Sequence, residues 1–457
     1  MSANHYSVSA ADVLIAGAGL TGLTAGLLLA RAGHRVLLVD GDPSAPPGVP
    51  AGAGTGWNRA GVRQFHQPHL MLPRWHRHLR TALPDVLEAL SSAGAESVNL
   101  LHLSPESVTG GWAAEDERFD TLAARRPLLE AVLADVAARE PRLRVLRPVH
   151  ITGLLTTGSA RGLHVAGLRT RCGDLVAGLV VDALGRHTQV PRWLEHTVAR
   201  QLPTEQQASG FVYYARQFRS PSGGMPLGHG PVLTHHESVS VLTIPQDKGT
   251  YAVALVGAAK DPAIRTLRHE DAWTTAARRY PTSAAWVADG IPISPVAPFG
   301  VGADVRRRLV DSDGPAATGI IALGDSRATT APLLGRGATL GLLQALVLRD
   351  VLADRPDDPA TLIDRVETGI GREVGPWVAA SWSFAKHRAA ELDAAAAGTA
   401  YETVDPAWHG TRALLAGAQR DPVLARCASA IGGLLDAPAD LLARPDVAAR
   451  LVARRAS

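Results

Sequence analysis

Val13–Asp40 reads VLIAGAGLTGLTAGLLLARAGHRVLLVD. Val13–Ala16 is a short apolar, strand-like run, and Gly17-Ala18-Gly19-Leu20-Thr21-Gly22 follows at once. An apolar helical stretch, Leu23–Arg31, ends at Gly33, and Arg35–Val39 reads as a second buried strand closed by Asp40. Strand, glycine turn, helix, strand and acid in this order form a βαβ dinucleotide site. Gly17 permits the tight turn, Gly19 lets backbone approach a pyrophosphate, and Gly22 lets helix and strand pack closely. The helix start at Leu20 and Thr21 offers unpaired N–H groups and a partial positive charge to phosphates. Asp40 is placed to accept from a ribose diol. A GxGxxG alone is also consistent with a βα turn that binds nothing; the second strand and acid in register favour the site.

Outward from this unit, the 457 residues predict two or three domains. Hydrophobic residues make up 46% and charged ones 19%, which excludes a largely disordered chain. The net charge of +3 comes without a dense basic stripe, so no nucleic-acid partner is indicated. Cys172 and Cys427 stand far apart and make neither a disulfide framework nor a metal site, which fits a reducing cytoplasm. Met1–Ala10 lacks the basic and apolar regions of a signal peptide, and no stretch reaches the ~20 apolar residues of a membrane span.

After Asp40 a Gly/Pro-rich excursion leads to Trp57–His69, a polar segment carrying His66 and His69. Helices are predicted over 70–82 and 85–93, strands and turns over 100–120, and a long helix from Arg126 with Pro127 in its first turn. Residues 144–155, 163–170 and 175–182 alternate like strands. From Phe211 to Val256, apolar and β-branched runs separated by Gly, Pro and Ser predict a mostly antiparallel sheet with a face for a ligand, followed by helices near 269–279 and 282–288. Domain organisation is therefore read as 1–200 (with an excursion at 70–120 toward the sheet), a substrate-binding sheet at 201–300, a return to the first domain at 301–355, and C-terminal helices at 356–457.

The second informative stretch is Gly324–Gly341, GDSRATTAPLLGRGATLG. Asp325 follows a buried strand, Gly319–Leu323. Pro332 and Gly335-Arg336-Gly337 form a turn of little bulk, and a helix over 338–353 starts at Ala338. Such a turn admits a planar aromatic cofactor, and the helix N-terminus can stabilise charge on it. Taken alone, the aspartate is equally a helix N-cap; the paired glycine turns are what point to a cofactor.

At this point the chain resembles FAD-dependent monooxygenases of the p-hydroxybenzoate hydroxylase fold, over about Ala11–Leu352. The carriers are GAGLTG with Asp40, Arg59-Ala60-Gly61-Val62, Arg126-Pro127-Leu128-Leu129-Glu130 and GDSRATTAPLLGRG. The resemblance implies an α/β, Rossmann-like FAD domain with an inserted sheet domain. It implies that Arg59 reaches the pyrophosphate with Gly61 and Val62 beside the flavin, that Arg126 contacts phosphate or ribityl groups, and that Gly324 and Asp325 bind the ribityl chain. Pro332, Gly335, Gly337 and Ala338 would wrap the ring. Where single-component hydroxylases have an Asp-Gly pair that helps both FAD and NADPH binding, this chain has Asp182-Ala183-Leu184-Gly185-Arg186, a form more like the epoxidase and styrene-oxygenase-like branch of secondary metabolism; the resemblance still implies that Asp182 binds the cofactor. The Trp-x-Trp-x-Ile-Pro signature of halogenases is absent.

The implied reaction is insertion of one oxygen atom of O₂, by epoxidation or hydroxylation through a flavin 4a-hydroperoxide, into an apolar, electron-rich small molecule. The electrons would come from reduced flavin made by a separate reductase, or from NAD(P)H. The alternative is an FAD-dependent reductase or dehydrogenase of a lipophilic substrate that uses no oxygen. No metal is called for. His66 and His69 are the candidates to donate to oxygen or substrate and to titrate near neutral pH; the plainer reading is that they bond backbone. His76 and His78 are expected on the surface, His235-His236 near the substrate face, and Trp57, Trp112, Trp273 and Trp286 in the core. The C-terminal helices read as a cap on both domains, with a basic membrane-skimming helix at Arg450, Arg454 and Arg455 the less favoured alternative.

Overall fold

The computed structural model describes residues 11–48, 57–158, 162–199, 201–226, 228–356 and 358–453. The expectations on Met1–Ala10, on the far part of the excursion after Asp40, and on Arg454 and Arg455 lie outside these residues.

The architecture is the α/β FAD-binding fold of p-hydroxybenzoate hydroxylase-type proteins, with a second, antiparallel sheet and C-terminal helices. Strand β1 (Ala11–Ala16) pairs in parallel with β2 (Val36–Val39) on one side, and β2 pairs in parallel with Leu143–Leu146. On its other side β1 pairs with the long strand Gly173–Asp182, which also takes Ile320–Ala322 in parallel. The first half of Gly173–Asp182 turns antiparallel, pairing with His164–Thr170, which pairs in turn with Ile151–Thr157. Helix α1 (Leu20–Arg31) is buried from Gly22 to Ala30. It stops because Gly33 takes φ +101°, letting His34 N–H reach the Leu29 carbonyl and Gly33 N–H the Ala30 carbonyl. That is the Schellman closure, which strongly favours glycine at this position.

The inserted sheet is centred on Phe211–Arg219 and Thr250–Ala258, antiparallel from Phe211↔Ala258 to Arg219↔Thr250. Thr250–Ala258 is buried along its whole length because both faces are covered. One face packs Tyr213, Leu242, Ile244 and Ala254 with Ala331 and Leu333 of the second glycine-rich stretch and with Ala385 of a C-terminal helix. The other packs Tyr214, Phe218 and Val253 against Trp273 and Trp286 from two short helices, 270–277 and 281–288. The chain enters this unit along Thr204–Ala208 and leaves along Ala303–Arg307, and these two segments pair antiparallel.

Three expectations are corrected. Residues 100–119 hold no strand but a short helix and a 3₁₀ turn. Asp116, fully buried, accepts from the Ala113 N–H and pairs with Arg426 at 2.7 Å, so this segment is shaped by docking to the C-terminal helices. Trp112 is 58% exposed, stacked on His102 rather than in the core, whereas Trp57, Trp273 and Trp286 are buried. His76 and His78 are half-buried, and burial with the flanking Arg74 and Arg77 pushes His78 down to about 4. No helix among the described residues is long and apolar enough to cross a membrane.

Candidate functional site

The register of the parallel sheet sets the site. Ala16 lies beside Asp182, and Asp182 beside Ala322. GAGLTG, DALGR and GDSR therefore leave the sheet side by side at the carboxyl ends of adjacent strands, where open α/β sheets bind ligands.

The glycines separate by task. A Cβ on Gly17 (φ +104°) would lie 2.4 Å from the Ala183 carbonyl oxygen, and one on Gly22 would lie 1.8 Å from the Gly17 carbonyl oxygen. Both are packing glycines. A Cβ on Gly19 would meet only the Arg126 guanidinium, at 4.0 Å, and Gly19 lines the large cavity. Gly19 begins α1 with no side-chain cap, so the N–H groups of Leu20 and Thr21 have no acceptor within the helix. The Thr21 side chain points elsewhere: a Cβ on Gly324 or on Gly341 would fall within 2.7 Å of its hydroxyl, so it seats α1 against the helix Gly337–Ala353.

Beside this cradle sits a buried ion cluster. Arg59, 4% exposed, donates from Nη2 to Asp40 at 2.7 Å, from Nη1 to Glu130 at 2.5 Å and to the Ala18 carbonyl at 2.9 Å, and from Nε to Asp42 at 3.2 Å. Burial works against this charge, but Glu130 and Asp40 outweigh it and raise its pKa. Asp40 is pushed up by burial and pulled further down by Arg59 and Arg147, so it stays ionised; it also accepts the Ala18 N–H at 2.6 Å. Glu130, wholly buried, holds Arg126 Nε at 2.6 Å with its other oxygen. One carboxylate thus sets both arginines that the sequence marked for FAD.

His69 lines the cavity between Arg126 and the backbone, with Nδ1 on the Gln67 carbonyl at 2.8 Å and Nε2 3.5 Å from Arg126 Nη1. Burial and then Arg126 push its pKa down to about 3, so it is neutral throughout the physiological range. This corrects the expectation that it titrates near neutral pH. His66 is exposed, packed edge-on to Phe65, and is not part of the cavity wall. The loop turns its side chain outward because Phe65 takes the inward position beside Trp57.

Asp325 lines the cavity with a carboxylate that accepts no hydrogen bond from the described residues, and a Cβ on Gly337 would touch its Oδ1 at 3.6 Å. Burial raises its pKa against the pull of Arg186, Arg126 and Arg307. Asp182 is placed differently from the sequence expectation. It is 1% exposed and outside the cavity wall, accepting from Leu184 N–H, Thr188 Oγ1 at 2.6 Å and Ser326 Oγ at 2.9 Å. Its task is to tie the DALGR turn to the GDSR turn. Gly61, Val62, Pro332, Gly335 and Ala338 all line the cavity, and Gly335 takes φ +63°.

Residues 12–190 match the family described as FAD dependent oxidoreductase. Over 367 residues the chain is 26% identical to Protein Rv3254 of Mycobacterium tuberculosis, covering 75% of this chain and 73% of that one. Among solved structures it is similar to PqsL of P. aeruginosa in complex with 2-aminobenzoylacetate (TM-score 0.63, 19% identity, 85% of this chain and 98% of that one). It is also similar to OxyS anhydrotetracycline hydroxylase of Streptomyces rimosus (TM-score 0.58, 17% identity, 94% and 76%). At these identities the structures bear on the fold.

The residues at this site fit FAD: the open cradle at Gly19, the Leu20 and Thr21 N–H groups and Arg126 suit a pyrophosphate, and Asp325, which accepts no hydrogen bond from the described residues, suits a polyol chain. The cavity, about 1410 Å³, runs on from the Pro332–Ala338 turn over Tyr213, Leu242 and Ile244 of the sheet to Phe384, Leu415 and Ile431 of the C-terminal helices. Sequence reading missed these helices as cavity wall, because their apolar faces looked like ordinary packing. It also missed Glu130, although it stands in the RPLLE run. It missed Arg336 too, whose side chain turns from the cavity side to stack on Trp377 at 5.7 Å and to donate to Ser381 Oγ at 2.8 Å. Burial brings that arginine down to about 10.

Proposed function

We propose that this protein is a flavin-dependent monooxygenase that places one oxygen atom of O₂ into an apolar, electron-rich small molecule. The observation that carries the reading is the continuity of the cavity: it passes from the Gly19, Arg126 and Asp325 cofactor groups into a chamber walled by Leu242, Ile244, Phe384 and Ile431. Apolar walls next to a flavin turn exclude water from the place where substrate and cofactor meet. When bound, FAD supplies the redox chemistry and the reaction with oxygen.

The protein's own residues hold and orient. Leu20 and Thr21 N–H groups with Arg126 grip the pyrophosphate, Glu130 keeps Arg126 in position, and Asp325 accepts from the ribityl hydroxyls. Gly337 and Ala338 open the helix Gly337–Ala353, whose N-terminus faces the ring turn and favours negative charge there. Sheet and C-terminal helices hold the substrate against that turn. Whether the chain epoxidises or hydroxylates is decided by the substrate's own electron-rich bond.

Oxygen uptake and ¹⁸O₂ incorporation with reduced FAD and pools of apolar aromatic and alkene compounds test this. Product formed anaerobically, with hydride gained or lost and no ¹⁸O, establishes the reductase reading instead. The altered Asp182-Ala183-Leu184-Gly185 stretch supports electron delivery as reduced flavin from a separate reductase. Anaerobic stopped-flow is expected to show slow flavin bleaching by NADPH alone; bleaching at ~1 s⁻¹ or faster makes the protein self-sufficient.

A further inference from the structure

The substrate chamber holds one polar side chain whose proton can be located. His235 ends the edge strand Leu233–His235, where Leu233 pairs with Leu242 and His235 with Ser240. Two-residue periodicity puts Leu233, His235, Ser240, Leu242 and Ile244 on the face turned to the cavity. His235 lines that cavity, its ring 5.4 Å from Phe384. Its neighbour His236 does not: it faces away, 4.4 Å from the Tyr280 ring.

Arg388, 4% exposed, lies at the connection between these two strands with every guanidinium nitrogen engaged. Nη1 donates to Glu391 at 2.9 Å, Nη2 to the carbonyls of His236 and Val239, and Nε to Ser240 Oγ at 3.0 Å. Ser240 is fully buried, and its Oγ lies 2.9 Å from His235 Nδ1. An arginine only donates, so Ser240 Oγ accepts from it; a hydroxyl can accept twice, but among the described residues His235 Nδ1 is the one remaining partner able to take the buried hydroxyl proton. Nδ1 of His235 is therefore the acceptor, and the proton of the neutral ring sits on Nε2, the edge left for the cavity.

We propose that His235, locked as the Nε2–H tautomer by the Arg388–Ser240 relay, is the hydrogen-bond donor by which the chamber recognises a carbonyl or phenolic oxygen on an otherwise apolar ring substrate. Burial, then Arg388, pushes the His235 pKa down to about 3, so the ring stays a neutral donor over the physiological range. A site built to donate rejects an analogue lacking the oxygen, because its N–H is then left unpaired in apolar surroundings. The inference rests on the reading of this chamber as the substrate site and names the chemistry it selects.

Two measurements on the FAD-loaded full chain test it. Long-range ¹H–¹⁵N spectra with labelled histidine, assigned against His235→Phe, are expected to show the Nε2–H pattern at His235; an Nδ1–H pattern overturns the proposal. The second titrates two probes of one frame, 1-tetralone and tetralin, followed by flavin difference absorbance. The ketone is expected to bind wild type about fivefold more tightly, one hydrogen bond being worth ~1 kcal/mol. His235→Phe should erase that preference and His235→Gln, which restores an N–H, should regain part of it. Absence of the preference in wild type, or its survival in His235→Phe, overturns the proposal. An intact preference without any ¹⁸O incorporation overturns the monooxygenase reading and leaves the donor in place.

Discussion

Gly19→Val and Gly22→Ala perturb neighbouring glycines of one turn and should fail in opposite ways. A Cβ at position 22 would lie 1.8 Å from the Gly17 carbonyl oxygen, so helix and strand must separate by more than 1 Å. Overpacking of that kind costs about 3 kcal/mol, and here the obstacle is backbone that cannot rotate away. A Cβ at position 19 meets only the Arg126 guanidinium at 4.0 Å, and Gly19 already has φ −85°, ψ −171°, which valine adopts freely. Its cost to the protein without cofactor is that of a poorer N-cap, about 1 kcal/mol. The valine methyls, however, fill the space that a pyrophosphate needs to reach the Leu20 and Thr21 N–H groups. Losing two charge-assisted bonds at ~1.5–3 kcal/mol each lowers FAD affinity by two to four orders of magnitude. Thermal unfolding of the FAD-free variants, together with quenching of flavin fluorescence on titration, reads both quantities. A folded Gly19→Val protein that keeps its flavin absorbance refutes the placement of the pyrophosphate at this turn.

Arg59→Ala leaves Asp40 and Glu130 buried without their shared cation, so it should lose about 3–5 kcal/mol of stability as well as FAD. Arg59→Lys is the cleaner probe: an ammonium cannot reproduce the fork to Asp40, Asp42 and Glu130, and unchanged FAD affinity with an unchanged unfolding midpoint removes Arg59 from the site. Asp325→Asn should weaken FAD yet stabilise the FAD-free protein at pH 7. Its carboxyl pKa is raised on folding, so the native state holds more protons than the unfolded one and wild-type stability declines as pH rises above about 3.8. Denaturant midpoints at pH 5 and pH 7 check this, and a less stable Asn variant contradicts it. His69 has the opposite sign. With a folded pKa of about 3 against 6.5 unfolded, the stability of its neutral form is present above pH 6.5 and lost as pH falls toward 3. His69→Gln should therefore flatten the acid limb of the stability profile and leave FAD binding between pH 6 and 8 without an inflection; a neutral-pH inflection that vanishes in the variant refutes the assignment.

Much of the frame was legible because its signals are local. Gly17 and Gly33 are demanded by their positive φ and Gly22 by its contact with Gly17, all within a thirty-residue unit, and the order of strand, turn, helix and acid follows from hydrophobic period and glycine position. The two glycine-rich turns announced a nucleotide and a planar ring, since few other ligands need backbone at such close range. What remained hidden depends on who meets whom. Asp182 and Asp325 both follow buried strands, and composition does not tell which is saturated: Asp182 is, because Thr188 and Ser326 converge on it, while Asp325 faces the cavity. His66 and His69 sit three residues apart in one polar loop, and only the packing of Phe65 beside Trp57 decides that the first looks outward and the second inward. Glu130 became a double anchor once Arg59, seventy-one positions away, folded against it. The sequence alone determined where the chain makes its two glycine-rich turns and that their pattern suits a dinucleotide, since turn geometry is written in neighbouring residues. The tertiary structure decided which charged groups are spent on one another, which are left for a ligand, and that the C-terminal helices wall the chamber, because those outcomes are set by the long-range approach of side chains that carry no local pattern.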